Sequence, residues 1–246
     1  MFRVLAHRFQ RVRYMAKWAS MISAVFLVIL IKAMTEFIPA SAQTPPSRTE
    51  IAEFRGLHRA AHDGDVEAIR RLVQGKDLEV RDRGGRTPLH VAAFASQDDA
   101  VRALADGGAD LNALDNDAYD IVTIAAVAND LELVELALEL GANAGNVTSP
   151  YDGTALIAAA HLGHHEVVKR LIAGGAPIDH INNLGWTALI EAVILGDGGP
   201  DHIETVRALV EGGADKSIAD RQGVTPLEHA RMRSFVEMIE VMMRSN

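Results

Sequence analysis

The chain of 246 residues contains no cysteine. That excludes disulfides, thiolate nucleophiles and the cysteine-based zinc sites, and leaves the compartment open. Aromatic residues make up only 5%, so the core is expected to consist of thin layers of Ala, Leu, Val and Ile. Half of the aromatics, Phe2, Phe9, Tyr14, Trp18, Phe26 and Phe37, fall before residue 43. Clustered positive charge is also missing from most of the chain. Residues 1–42 hold Arg3, Arg8, Arg11, Arg13, Lys17 and Lys32 against Glu36 alone, which leaves 18 basic and 32 acidic residues over 43–246, a net charge of −14. Such a body lacks the Lys/Arg cluster that phosphate neutralisation requires, and no nucleic-acid partner is expected. Three signatures of catalysis are absent as well: a phosphate-cradling Gly-Lys-Ser/Thr loop, a Gly-x-Ser-x-Gly elbow and a His-Glu-x-x-His helix. No catalytic residue, enzyme activity or cofactor is therefore expected.

The N-terminal segment has the order of a secretory signal peptide. Residues 1–17 are basic, Trp18 to Ile31 form an apolar run, and Ala40-Ser41-Ala42 places small residues at the −3 and −1 positions of a cleavage site. Fourteen helical residues span about 21 Å, short of the roughly 30 Å hydrocarbon layer. Cleavage between Ala42 and Gln43 is expected, with an uncleaved anchor as the alternative and the only route to membrane attachment. Either way the basic end stays inside and the body is exported, to the periplasm in the first instance. A start at Met15 instead of Met1 leaves a segment of ordinary length. Residues 43–51 are expected to form a flexible spacer.

From residue 52 the sequence repeats itself. Thr87-Pro88-Leu89-His90, Asp120-Ile121-Val122-Thr123, Thr154-Ala155-Leu156-Ile157, Thr187-Ala188-Leu189-Ile190 and Thr225-Pro226-Leu227-Glu228 follow one another at spacings of 33, 34, 33 and 38. An earlier copy stands at Leu57-His58-Arg59-Ala60-Ala61. A second landmark keeps the same phase: Gly107-Gly108-Ala109-Asp110, Gly141-Ala142-Asn143, Gly174-Gly175-Ala176-Pro177 and Gly212-Gly213-Ala214-Asp215. Within each unit a Thr or Asp is placed to cap a short Ala-rich helix, with Pro88 and Pro226 at the first helical position. A second helix follows with apolar residues at helical spacing, such as Val167, Val168, Leu171 and Ile172, and ends at glycine. Asp82 with Gly85, Asn182 with Gly185 and Asp220 with Gly223 then supply turns between units.

These motifs resemble the ankyrin repeat, above all Thr87-Pro88-Leu89-His90, Gly163-His164 with Glu166-Val167-Val168, and the two Gly-Gly-Ala-Asp sets. The resemblance implies an all-α solenoid of about six helix-turn-helix units with hairpin fingers, at about 52–82, 83–115, 116–149, 150–182, 183–220 and 221–246. Two units depart from the pattern. The third has Asp120 to Thr123 in place of the Thr-Pro-Leu-His set, Ala118 where glycine is usual and Ala137 where a core leucine is usual. A missing core side chain at Ala137 makes this unit the expected weak point unless Leu136 or Leu138 fills the space, and Ala137→Leu is expected to raise the melting temperature. The fifth carries an insertion, Gly196-Asp197-Gly198-Gly199-Pro200.

His161, His164, His165 and His180 invite a metal reading, but His161 and His165 are expected on different helices around Gly163. His58, His90 and His164 stand where the resemblance implies rings bonded to backbone, and no metal site is expected. The resemblance also implies that partners touch the inner helices and the finger tips. Carried over position by position, the expected protein-binding residues are Phe94, Tyr119, Val127, Tyr151, His161, Leu162, Trp186 and Ile194, with Tyr119 and Trp186 exposed. Arg83, Arg86, Leu184 and Val224 are further finger positions. An apolar strip of this kind marks an interaction site. The expected function is non-catalytic binding of another protein, with an acidic surface suited to a basic patch, by a monomer that scaffolds or protects an envelope component. A secreted effector acting on host proteins and a metal-dependent or small-molecule enzyme are the alternatives.

Overall fold

The computed structural model describes residues 43–75 and 77–244. The expected signal segment, residues 1–42, lies outside the described residues. A short helix, α1 (Arg48–Glu53), is followed by six pairs: α2 (Gly56–Asp63) with α3 (Val66–Leu72), α4 (Pro88–Phe94) with α5 (Asp98–Asp106), α6 (Ile121–Ala128) with α7 (Leu131–Glu139), α8 (Ala155–Leu162) with α9 (His165–Ala173), α10 (Ala188–Ile194) with α11 (Pro200–Glu211), and α12 (Pro226–Met232) with α13 (Val236–Met243). The first helices of successive pairs pack on one another, and so do the second helices, giving an inner and an outer layer. The described residues form no strand, and Thr148 and Gly153 make an isolated bridge.

The capping residues act as the sequence predicts. The side chains of Thr87, Asp120, Thr154, Thr187 and Thr225 each accept the N–H three residues on and start α4, α6, α8, α10 and α12, which satisfies a donor the helix cannot use itself. At the outer helix ends the left-handed residue is the second glycine of each pair: Gly108, Gly175 and Gly213 have positive φ, whereas Gly107 and Gly212 are still helical. Alanine fills the inner layer. Ala61, Ala92, Ala125, Ala126, Ala159, Ala160 and Ala192 are fully buried, and their small size lets neighbouring inner helices approach closely.

Each finger is closed by one polar side chain. Asp82 Oδ1 accepts the N–H of Gly84 and Arg86, Asp115 Oδ1 those of Asp117 and Tyr119, Ser149 Oγ those of Tyr151 and Gly153, Asn182 Oδ1 those of Leu184 and Trp186, and Asp220 Oδ1 those of Gln222 and Val224. Successive fingers are then stitched by backbone bonds: Asn116 N–H to Gly84 O at 3.0 Å, Ser149 N–H to Ala118 O at 2.9 Å and Asn183 N–H to Tyr151 O at 2.9 Å. The bond between the next two fingers comes from a side chain, the Arg221 guanidinium donating to the Asn183 carbonyl.

Residues 43–51 differ from the expected spacer. Ser47 and Glu50 make a reciprocal capping box that starts α1. Glu50 then pairs with Arg86, whose guanidinium also donates to the Thr44 carbonyl at 3.1 Å. The segment is held because it covers the buried Arg86.

In the third unit the missing Thr-Pro-Leu-His set is replaced by other polar contacts. Elsewhere the ring of His90 donates to Tyr119 O at 3.0 Å and that of His58 to Arg86 O at 2.9 Å, tying inner helix to finger. Here Asp120 caps α6 and accepts from Asn146 Nδ2 at 2.9 Å, while the Thr123 and Thr148 hydroxyls lie 2.9 Å apart. Ala137 is fully buried. Leu136 and Ala137 stand where the second and fifth units have Ala103–Leu104 and Ala208–Leu209, all six buried. The large side chain has moved by one position within the helix.

Candidate binding surface

The inner helices present one or two residues per unit near their C-terminal ends. Phe94, Val127, His161, Leu162 and Ile194 are each half-buried, and Phe94 packs against the core. They are neither free surface nor closed core. In the sixth unit Met232, at the matching position, is 63% exposed. Beside this row run the fingers, where Trp186 is half-buried and Tyr151 is 36% exposed.

Two expected finger residues turn inward. Tyr119 is only 6% exposed and belongs to the core cluster, so it is not available to a partner. Its N–H bonds Asp115 Oδ1 and its carbonyl receives His90, which pins the finger backbone with the ring inward. Burial, aided by Asp117 and Asp115, pushes its hydroxyl above the usual tyrosine range. Arg86 is likewise buried, held between Asp82 and Glu50.

The histidines divide by partner. His58, His90 and His164 bond backbone carbonyls, the last from Nδ1 to Ala126 O at 2.9 Å. Burial holds the rings of His90 and His164 below the ordinary histidine range. His161 and His165 lie on α8 and α9 as expected, and only His161 faces the inner row. Its Nδ1 is 3.3 Å from Oε2 of Glu191 on α10. Glu191 is buried and also receives the amide of Asn182 at 2.8 Å. Among the described residues no group of three or more His, Asp or Glu is placed to hold a metal ion.

Sequence reasoning passed over Glu191 and His202, and placed Arg233 only as an inner-helix position of the sixth unit. The guanidinium of Arg233 lies 4.5 Å over the Phe235 ring and donates to the carbonyls of Val193 and Ile194, closing the end of α10 next to the insertion. A carboxylate at position 191, where the second unit has the buried Val91, was the available signal for the first of these.

A family model described as ankyrin repeats (3 copies) matches residues 47–115 and 122–220. The chain is 35% identical over 185 residues to the putative ankyrin repeat protein YahD of Escherichia coli (strain K12), covering 74% of this chain and 92% of that protein. The crystal structure of an ankyrin repeat domain from Acinetobacter baumannii AYE is 40% identical with a TM-score of 0.71, covering 76% of this chain and 95% of that one. A protein of Dirofilaria immitis named L-asparaginase is 31% identical over 182 residues, which are 73% of this chain and 30% of that protein. Six stacked helix pairs, five capped fingers and a family match over most of the length lead to one conclusion: the chain belongs to the ankyrin-repeat family, whose repeats form protein-binding modules.

Proposed function

We propose that this chain is an exported, non-catalytic scaffold of the cell envelope that binds another protein along its inner-helix and finger face. One observation carries the reading. Phe94, Val127 and Ile194 recur at one position of the inner helices, with His161 at that position and Leu162 beside it in the unit between, and Tyr151 and Trp186 stand on the neighbouring fingers, all at least partly accessible. A monomer with isolated apolar surface residues needs no partner, but a row repeated along one face does. Stacked units present such a row already ordered, which lowers the entropic cost of docking. The acidic body, net −14 over residues 43–246, favours a partner with a basic patch and makes association sensitive to salt. Export, with the periplasm as destination, rests on the signal-like residues 1–42. An N-terminus at Gln43 in the purified protein supports it, and retention of residues 1–42 favours the anchored form.

The test is affinity capture from the envelope fraction with the mature chain as bait. Tyr151→Ala combined with Trp186→Ala should reduce capture at least about tenfold, since aromatic anchors dominate interface energies, with helical content unchanged. Full capture by the double variant removes the groove reading. A partner recovered only from host extracts supports the effector alternative. The likeness to a named L-asparaginase covers 30% of that protein, and an enzyme reading needs turnover of a substrate by the pure chain.

A further inference from the structure

The insertion of the fifth unit builds a slot for one histidine. A side chain at Gly196 would place its Cβ 2.2 Å from the Ala192 carbonyl oxygen and 2.7 Å from Cδ2 of His202, and one at Gly163 in the fourth unit would lie 3.2 Å from Cε1 of the same ring. Two positions without side chains therefore admit the imidazole between units four and five. The insertion is fixed on its other side, since a Cβ at Gly198 would fall 2.5 Å from the Phe235 ring. His202 itself is mostly buried.

Inside the slot both ring nitrogens meet acceptors. Nε2 lies 3.0 Å from the carbonyl oxygen of His161, and Nδ1 lies 3.0 Å from Oδ1 of Asp197. Neither a carbonyl nor a carboxylate has a proton to give. A neutral imidazole carries one N–H and serves one of the two, whereas an imidazolium serves both. The Asp197 carboxyl is held below the usual carboxylate range by the N–H of Gly199 first and by His202 second, so it is ionised wherever histidine titrates.

We propose that His202 is a protonation-dependent clasp between the fourth and fifth units, whose two hydrogen bonds are complete only when both ring nitrogens carry protons. His164 occupies the equivalent place one unit earlier and makes the contrast. Its Nδ1 donates to Ala126 O, and burial, the largest influence, lowers its pKa against the opposing effects of that bond and of Asp201. The other charged groups near His202 act in both directions. Asp201 at the start of α11 lies 4.0 Å from Nδ1 of His165, which also meets Glu166 at 3.4 Å. Arg233, before α13, faces Asp197, and Glu191 on α10 reaches the junction through the His161 ring. His161, Leu162 and Ile194 border the junction, so the clasp sets the rigidity of the central part of the inner row.

The experiment needs no partner, so its outcome is separate from that of the binding reading. Thermal melts of the wild-type chain, His202→Gln and Asp197→Asn are compared at about pH 5.5 and about pH 7.5, one unit either side of the ordinary histidine value. The gap between wild type and His202→Gln should be wider at the lower pH by at least about 2 °C, and Asp197→Asn should remove that difference. Hydrogen exchange, corrected for intrinsic rates, should show the Gly199 amide and residues 161–163 better protected at the lower pH in the wild type alone. An equal gap at the two pH values, or unchanged pH dependence in Asp197→Asn, overturns the clasp. If His202→Gln does not fold, Asp197→Asn, an exposed loop change, decides the question by itself.

Discussion

Replacing Ala118 by glycine should stabilise the array, and the reverse change one finger type away should destabilise it. Ala118 sits at φ +61° in the third finger, the position that Gly85, Gly185 and Gly223 occupy at φ +73°, +86° and +77°. The turn is otherwise the same. Asp115 N–H donates to Tyr119 O at 3.0 Å and Ala118 N–H to Asp115 O at 3.1 Å, against 3.0 Å and 2.9 Å for Asp220 to Val224 and Gly223 to Asp220. A side chain in the left-handed region costs about 1–2 kcal/mol. Glycine gives back about 0.4–1 kcal/mol through the freedom of the unfolded chain. Ala118→Gly should therefore gain about 0.5–1 kcal/mol, which for a domain of this size is a rise of about 1–4 °C in melting temperature. Gly223→Ala is the control, because a Cβ there meets no atom within 4 Å and only the backbone term remains. It should lose a similar amount. Circular-dichroism melts with urea titrations as a second probe decide the matter. A shift of the same sign in both variants, or no shift in either, refutes the account of the finger turns.

Three further outcomes follow from the packing and the charges. Ala137→Leu should lower the melting temperature, reversing the sequence expectation, because Ala137 is fully buried beside the buried Leu136 and overpacking costs about 1–3 kcal/mol; adding Leu136→Ala should restore it, and a rise in the single variant would show that a gap exists. Tyr119→Ala should destabilise the third unit by about 3–5 kcal/mol, as a buried aromatic lost from a core does, read as early loss of exchange protection around residues 115–128. The third outcome concerns pH. His90 has its pKa lowered by burial in the folded state, so below the ordinary value near 6.5 the unfolded chain binds a proton that the folded chain refuses. Its contribution is present above that pH and is lost as pH falls toward the folded value. The gap between wild type and His90→Asn should therefore narrow on acidification, opposite in sign to that of His202→Gln, and a gap that widens would show that the ring is not held neutral.

The repeat phase, the helix pairs and the caps were legible because each depends on residues close in sequence. Thr87, Pro88 and Gly108 act on their own backbone, and any chain with that order behaves alike. Which way a finger aromatic turns was not legible. Tyr119 and Trp186 hold the same place in their turns, yet one is buried and the other half-accessible. The same holds for Arg86, whose burial depends on Glu50 and Thr44, 36 and 42 residues away. A short Ser-x-x-Glu cap before residue 51 was visible in the sequence, but a six-residue helix needs that distant anchor to persist. The insertion at 196–200 could be counted, whereas the histidine it encloses comes from the order in which units stack. Local chemistry was read directly, and contacts between units had to be seen.

The stitching of the fingers has a mechanical consequence. A backbone bond, or an arginine bond at the last junction, passes from each finger to the next, joined by side-chain bonds such as Asn116 Nδ2 to Arg83 O and Asn183 Nδ2 to Pro150 O, and units touch only their neighbours. Tension applied between the two ends crosses these junctions in series, so no junction shares its load with another. The array should then lengthen in steps as units peel away singly. Each step releases about 33 residues of chain, the repeat spacing, worth a little over 100 Å at about 3.3–3.6 Å per residue. A partner lying across several units bridges those junctions in parallel, and binding would make the spring stiffer.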